Sequence, residues 1–271
     1  MKMTQRFLVM FAAVLVVLSS VGCDKLKARD NLNKGVQAYK NSKFEDAINH
    51  FQQAVALDPT LINARLYLAT AYAQQYIPGA DTPENNKNAE QAIEEYKKVL
   101  EVQPKNINSI KGIAYLYLQM KKFPLAKEYY KKASEADPND PEPYYSVAVI
   151  DWTQTYVPRQ EERAKLGMKP DEALPAKDKK VCAEVKEKNT ANVQEGIDNL
   201  NKALNLRPDY DDAMAYLNLM YRERADIQCD DPAARSADLK TADEWVDKTM
   251  ATKKAKAEKQ PAAGGIVIDK Q

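Results

Sequence analysis

Four short segments of this 271-residue chain end alike: Ala-Leu-Asp-Pro at 56–59, Glu-Val-Gln-Pro at 101–104, Glu-Ala-Asp-Pro at 135–138 and Asn-Leu-Arg-Pro at 205–208. Their prolines, Pro59, Pro104, Pro138 and Pro208, are spaced by 45, 34 and 70 residues. A 34-residue period fits all four if the first gap holds 11 extra residues and the last holds 36. Self-similarity at such a period is the signature of a repeat stack, and it sets the architecture before any single element is read. Within a period the residues are helical. In Phe44 to Val55, apolar side chains recur at three- and four-residue steps, which makes one buried helix face. Ala47, Ala54, Ala126 and Ala133 are small enough for two helices to approach closely, and each proline stops a helix and starts the next turn. With only 8 glycines and abundant Ala, Leu, Lys and Glu, the chain favours helix over sheet.

Period and residues together resemble the tetratricopeptide repeat. The clearest copy is Ile107 to Asp140, with Ala114 and Tyr117 on its first helix, Ala126, Tyr130 and Ala133 on its second, and Pro138 closing it. The first repeat, from about Ala28, matches at Gly35, Ala47, Phe51, Ala54 and Pro59. The second matches at Ala69, Tyr72, Ala92, Tyr96 and Pro104, and the fourth at Ala148, Gly196, Leu200, Ala203 and Pro208. A fifth, from about Asp211, carries Leu217, Tyr221 and Ala242 but no closing proline, and the tryptophan common early in the family's first helix is missing throughout. The resemblance implies an all-α α-solenoid of about five helix–turn–helix repeats over 28–252, stacked into a right-handed superhelix with a concave side. Insertions fall between the helices of repeats 2, 4 and 5, at roughly 75–88, 153–191 and 226–236. The last residues, 253–271, rich in Lys and Ala and then Pro-Ala-Ala-Gly-Gly, read as a disordered tail.

The first 22 residues stand apart. Lys2 and Arg6 precede an apolar run from Phe7 to Leu18, and small residues follow before Cys23. This is the layout of a secretory signal peptide, with a core short for a membrane span; a retained membrane helix is the alternative. Ser20-Val21-Gly22-Cys23 resembles the lipobox of bacterial lipoproteins, although Ser20 stands where that family usually has Leu. The resemblance implies acylation of Cys23, a lipid-anchor tether over 23–27 and a location facing the periplasm, with the inner or outer membrane undecided. Conventional cleavage after Gly22 remains the other possibility. Cysteine parity bears on the choice. If Cys23 is lipidated, Cys182 and Cys229 remain as a pair in two insertions of adjacent repeats, and in an oxidising compartment they are expected to form a disulfide. Two free thiols are the alternative.

No catalytic constellation is legible. The lone histidine, His50, lies between core positions of one helix and reads as a solvated surface residue that cannot make a zinc site alone. There is no glycine-rich phosphate loop. Forty basic and 39 acidic residues leave a net charge of +1, which gives no electrostatic footprint for nucleic acid. The chain is therefore expected to be no enzyme, to need no cofactor or metal, and to take no small-molecule substrate. The family resemblance implies a partner-binding inner face on the first helix of each repeat. Here that gives Leu32, Val36 and Tyr39, then Asn63, Leu66 and Thr70. It continues with Asn108, Lys111, Tyr115 and Leu118, and then Tyr145, Val149 and Trp152. Tyr and Trp there suit a peptide or helix with apolar anchors. Leu32 and Val36 stand where the family's carboxylate-gripping members carry Lys and Asn, so a chaperone co-adaptor is not expected. The expected function is a membrane-anchored scaffold or assembly factor of the bacterial cell envelope; the alternative is a secreted adaptor that positions an envelope enzyme.

Overall fold

The computed structural model describes residues 23–169 and 172–259. The expected signal peptide, 1–22, lies outside the described residues. Helix α1 spans 23–40, α2 Phe44–Leu57, α3 Ile62–Gln75, α4 Pro83–Val102, α5 Ile107–Gln119 and α6 Phe123–Ala136. They are followed by α7 Glu142–Lys165, a single turn α8 Leu174–Lys177, α9 Lys179–Leu206, α10 Asp211–Asp226 and α11 Pro232–Lys259. Among the described residues every regular element is a helix, and none is long and apolar enough to cross a membrane. The chain forms two compact units, residues up to Lys132 and residues from Ala133, the division falling inside α6.

The proline turns have one geometry. α2, α4, α6 and α9 each end two residues before the proline. The intervening N–H groups of Asp58, Gln103, Asp137 and Arg207 donate to the carbonyls of Ala54, Val99, Ala133 and Ala203 at 2.8–3.0 Å. Three residues on, the N–H groups of Leu61, Asn106, Asp140 and Tyr210 donate back to those same four residues. The proline has no N–H to lose and a fixed φ, so it sits at the one place where helix continuation is forbidden without cost.

In the first unit α3 packs on α2 and α4, and α5 on α4 and α3. Alanines 47, 54, 64, 69, 71, 89 and 92 are fully buried where helices meet, and Phe51, Tyr72, Tyr96 and Ile113 fill the space between them. Gly35 is fixed by Phe51: a Cβ there would lie 2.5 Å from a ring carbon. The first insertion is shorter as a loop than its sequence suggests. Only 76–82 is loop, because Thr82 caps α4, accepting from the Asn85 N–H, and Pro83 opens the helix at a position that suits proline. The buried Asn85 amide then holds the loop by its main chain, accepting from the Ile77 N–H and donating to the carbonyls of Ile77 and Ala80.

In the second unit α7 packs on α9 and α10, α9 on α8 and α10, and α10 on α11. Val193, Ile197, Leu200, Leu217 and Met220 form its core. Three expectations are corrected here. The presumed tether 23–27 is helical, since α1 already begins at 23. The tail expected from 253 is helical to Lys259, and 260–271 lie outside the described residues. The 153–191 insertion is largely two prolonged helices: α7 runs through Pro158 to Lys165, and α9 starts at Lys179, where Asp178 caps it.

Candidate functional site

None of the thirteen expected partner-facing residues is buried. In the first unit Asn63, Asn108 and Tyr115 are exposed, Tyr115 by half, while Leu32, Val36, Tyr39, Leu66, Thr70, Lys111 and Leu118 are half-buried. Thr70 is occupied internally: its hydroxyl donates to the Leu66 carbonyl at 2.8 Å and lies 3.2 Å from the Tyr96 hydroxyl. Tyr39 sets its ring edge-on against Phe44 at 5.4 Å. The expected surface histidine, His50, is half-buried, with Nδ1 3.2 Å from the Asn31 side-chain oxygen.

The second unit brings its expected residues into a denser arrangement. Tyr145 and Trp152 are two turns apart on α7, and both meet Tyr216 of α10 at near right angles, with centroids at 5.5 and 5.6 Å. Tyr210, in the turn before α10, lies 5.0 Å from Tyr145, and Tyr156 stacks on Trp152 at 4.7 Å. All five rings stay half-exposed; Val149, also expected here, is half-buried. Burial holds the Tyr145 and Tyr216 hydroxyls above the usual tyrosine range and pushes Tyr210 up to about 12, with nearby carboxylates adding to the effect. Sequence reasoning missed Tyr156, Tyr210 and Tyr216. The first-helix rule does not reach a turn residue or an inserted helix extension, although the run of Tyr at 210, 216 and 221 was visible.

Below this cluster the two helices are bolted together. Seven residues beyond Trp152 and Tyr216 come Arg159 and Glu223, whose side chains form a bidentate pair with both bonds at 2.7 Å. Arg159 also donates to Asp226 at 2.5 Å, and Arg163 reaches the same carboxylate at 3.4 Å and the carbonyls of Lys169 and Glu172. Burial drives the Glu223 carboxyl upward, opposed by Arg159. Cys182 and Cys229 are disulfide-bonded, with Cα atoms 5.8 Å apart. Cys182 lies on α9 and not in a loop, and its sulfur sits 3.5 Å from the Asp226 carbonyl. The remaining cysteine, Cys23, is exposed. Among the described residues no group of three His, Cys, Asp or Glu is placed to hold a metal ion.

Comparison with known proteins bears on the fold. The tetratricopeptide-repeat family profile matches residues 86–150, and a second TPR-repeat profile matches 35–75. A crystal structure of MamA is 12% identical over 88% of this chain and 98% of that one, with a TM-score of 0.58. MamA from Desulfovibrio magneticus RS-1, residues 41 to the end, is 16% identical over 84% and 96%, with a TM-score of 0.55. YrrB, described as a TPR protein with an unusual peptide-binding site, is 14% identical over 84% and 90%, with a TM-score of 0.50. At these identities the likeness is one of fold alone. No curated protein matches the sequence.

Proposed function

We propose that this tetratricopeptide-repeat protein is a membrane-anchored binding scaffold or assembly factor of the bacterial cell envelope, holding a peptide or helix of another envelope protein against the first helices of its repeats. Repeats of this family stack into surfaces for other proteins, so a protein-interaction scaffold is the general reading, and the fold is not normally a catalytic one. The observation that carries the finer reading is the five-ring cluster of Tyr145, Trp152, Tyr156, Tyr210 and Tyr216, left half-exposed on rigidly joined helices. Large rings with polar tips, fixed in advance, lose little entropy when a partner docks. The signal-peptide layout and lipobox-like end at Cys23 support export and acylation, and the exposure of Cys23 at the start of α1 is compatible with a lipid there.

The test is crosslinking and capture from the membrane fraction of cells expressing wild type, Trp152→Ala, Tyr115→Ala or Cys23→Ser. Wild type is expected to retain a partner that Trp152→Ala loses, and Cys23→Ser to leave the membrane fraction. Capture of the same partner by both ring variants would remove the binding assignment, and membrane retention of Cys23→Ser would remove the anchor.

A further inference from the structure

We infer that the aromatic cluster between α7 and α10 receives a basic side chain, Lys or Arg, of an extended partner peptide. The inference deepens the scaffold reading and rests on it. The rings form corners: Tyr216 stands perpendicular to Tyr145 at 86° and to Trp152 at 87°, with Tyr210 and Tyr156 extending the two ends. Aromatic faces carry negative potential, and rings meeting at right angles present it to a shared space, the arrangement that suits a cation.

The charges around the rings point the same way. Asp212 is exposed one turn before Tyr216 on α10, and its carboxylate acts on the hydroxyls of Tyr145, Tyr210 and Tyr216 alike. Glu142 and Asp140, at the start of α7, act on Tyr210 as well. Against these three acids stands one guanidinium, that of Arg207, which lies 4.6 Å over the Tyr210 ring. That ring thus already accepts a cation on one face. An acidic rim above aromatic walls favours an incoming Lys or Arg and opposes an acidic peptide of the kind the family's carboxylate-gripping members take. The clamp beneath, Arg159 on Glu223, keeps the walls from parting.

The test uses the full mature chain carrying Trp245→Phe, which leaves Trp152 as its sole tryptophan. Acetylated heptapeptides of Gly and Ser with one central Arg, Lys, norleucine or Glu are titrated while Trp152 emission is followed. The Arg and Lys peptides are expected to bind about tenfold more tightly than norleucine, the apolar analogue of lysine, and Glu to bind least. Asp212→Asn, an exposed change that leaves the packing intact, is expected to remove most of that preference. Equal binding of all four peptides, no response to any, or an unchanged preference in Asp212→Asn would each overturn the inference. A partner captured from membranes through Trp152 but blind to peptide charge would sink this inference while leaving the scaffold reading in place. A partner retained by Trp152→Ala would sink the scaffold reading itself.

Discussion

At the scale of single residues, close contacts decide which side chains are replaceable. Gly35→Ala gains helix propensity but drives a methyl group against the Phe51 ring, whose nearest carbon would be 2.5 Å away. Overpacking of a full core outweighs the propensity gain, so a net loss on the order of 1–2 kcal/mol is expected. An unchanged or raised unfolding midpoint in urea would contradict it. The tyrosines give a pH signature. Tyr145, Tyr210 and Tyr216 all ionise later in the folded chain than at the ordinary value of 10.0. The folded state therefore holds these protons more tightly. Its stability from them is whole below pH 10.0 and is lost as pH rises towards about 12, where Tyr210 titrates. Tyrosinate absorbance followed together with circular dichroism should show late ionisation coinciding with loss of helix; a single titration near pH 10.0 with helix intact would refute this. At this scale the sequence was informative where a residue type has one use. Gly35, the small alanines and the closing prolines could be read directly. Tyr210 and Tyr216 could not, because a half-buried ring on a turn has the same spelling as an exposed one.

At the scale of elements, the insertion in the fourth repeat departs most from its sequence reading. Pro158 and the mixed charges around it suggested a loop, yet α7 passes through the proline and buries Arg159 and Arg163. Charge runs in sequence carry no partner, and here the partners, Glu223 and Asp226, are more than 60 residues away. Periodicity cannot see such a pairing, so the helix end was placed too early. Removing one member of a buried pair leaves the other uncompensated, and Arg159→Met is expected to cost about 3–5 kcal/mol. Converting Glu223 to Met as well should return most of it, since paired replacement by apolar groups is nearly neutral. If the double variant is no more stable than the single one in urea unfolding, the pair is not the source of the cost. The first insertion shows the same lesson in milder form: Thr82 and Pro83 are a legible helix start, but nothing local announces that the Asn85 amide will grip the loop by its main chain.

Over the whole molecule, helices that touch only near neighbours should share stability only with those neighbours. The 34-residue period made this architecture legible, and the family comparison agrees, whereas the division inside α6 and the reach of α11 to Lys259 were not visible. The disulfide gives a direct test. Closing a 47-residue separation is worth about 4 kcal/mol by loop entropy, and that stabilisation falls on the second unit. Reduction should therefore speed amide exchange in α9 and in the 227–231 connection while residues 23–132 exchange as before. Faster exchange throughout both units would show the chain to be one cooperative body. The four proline turns have a consequence of another kind. Each closes on the same two main-chain bonds whatever side chains flank it. A gene rejoined from one such turn to another would orphan no donor and no acceptor at the seam. Unequal crossing-over at these points can thus add or delete a whole 34-residue block without a scar, and the length of this protein is among the properties its lineage can most cheaply rewrite.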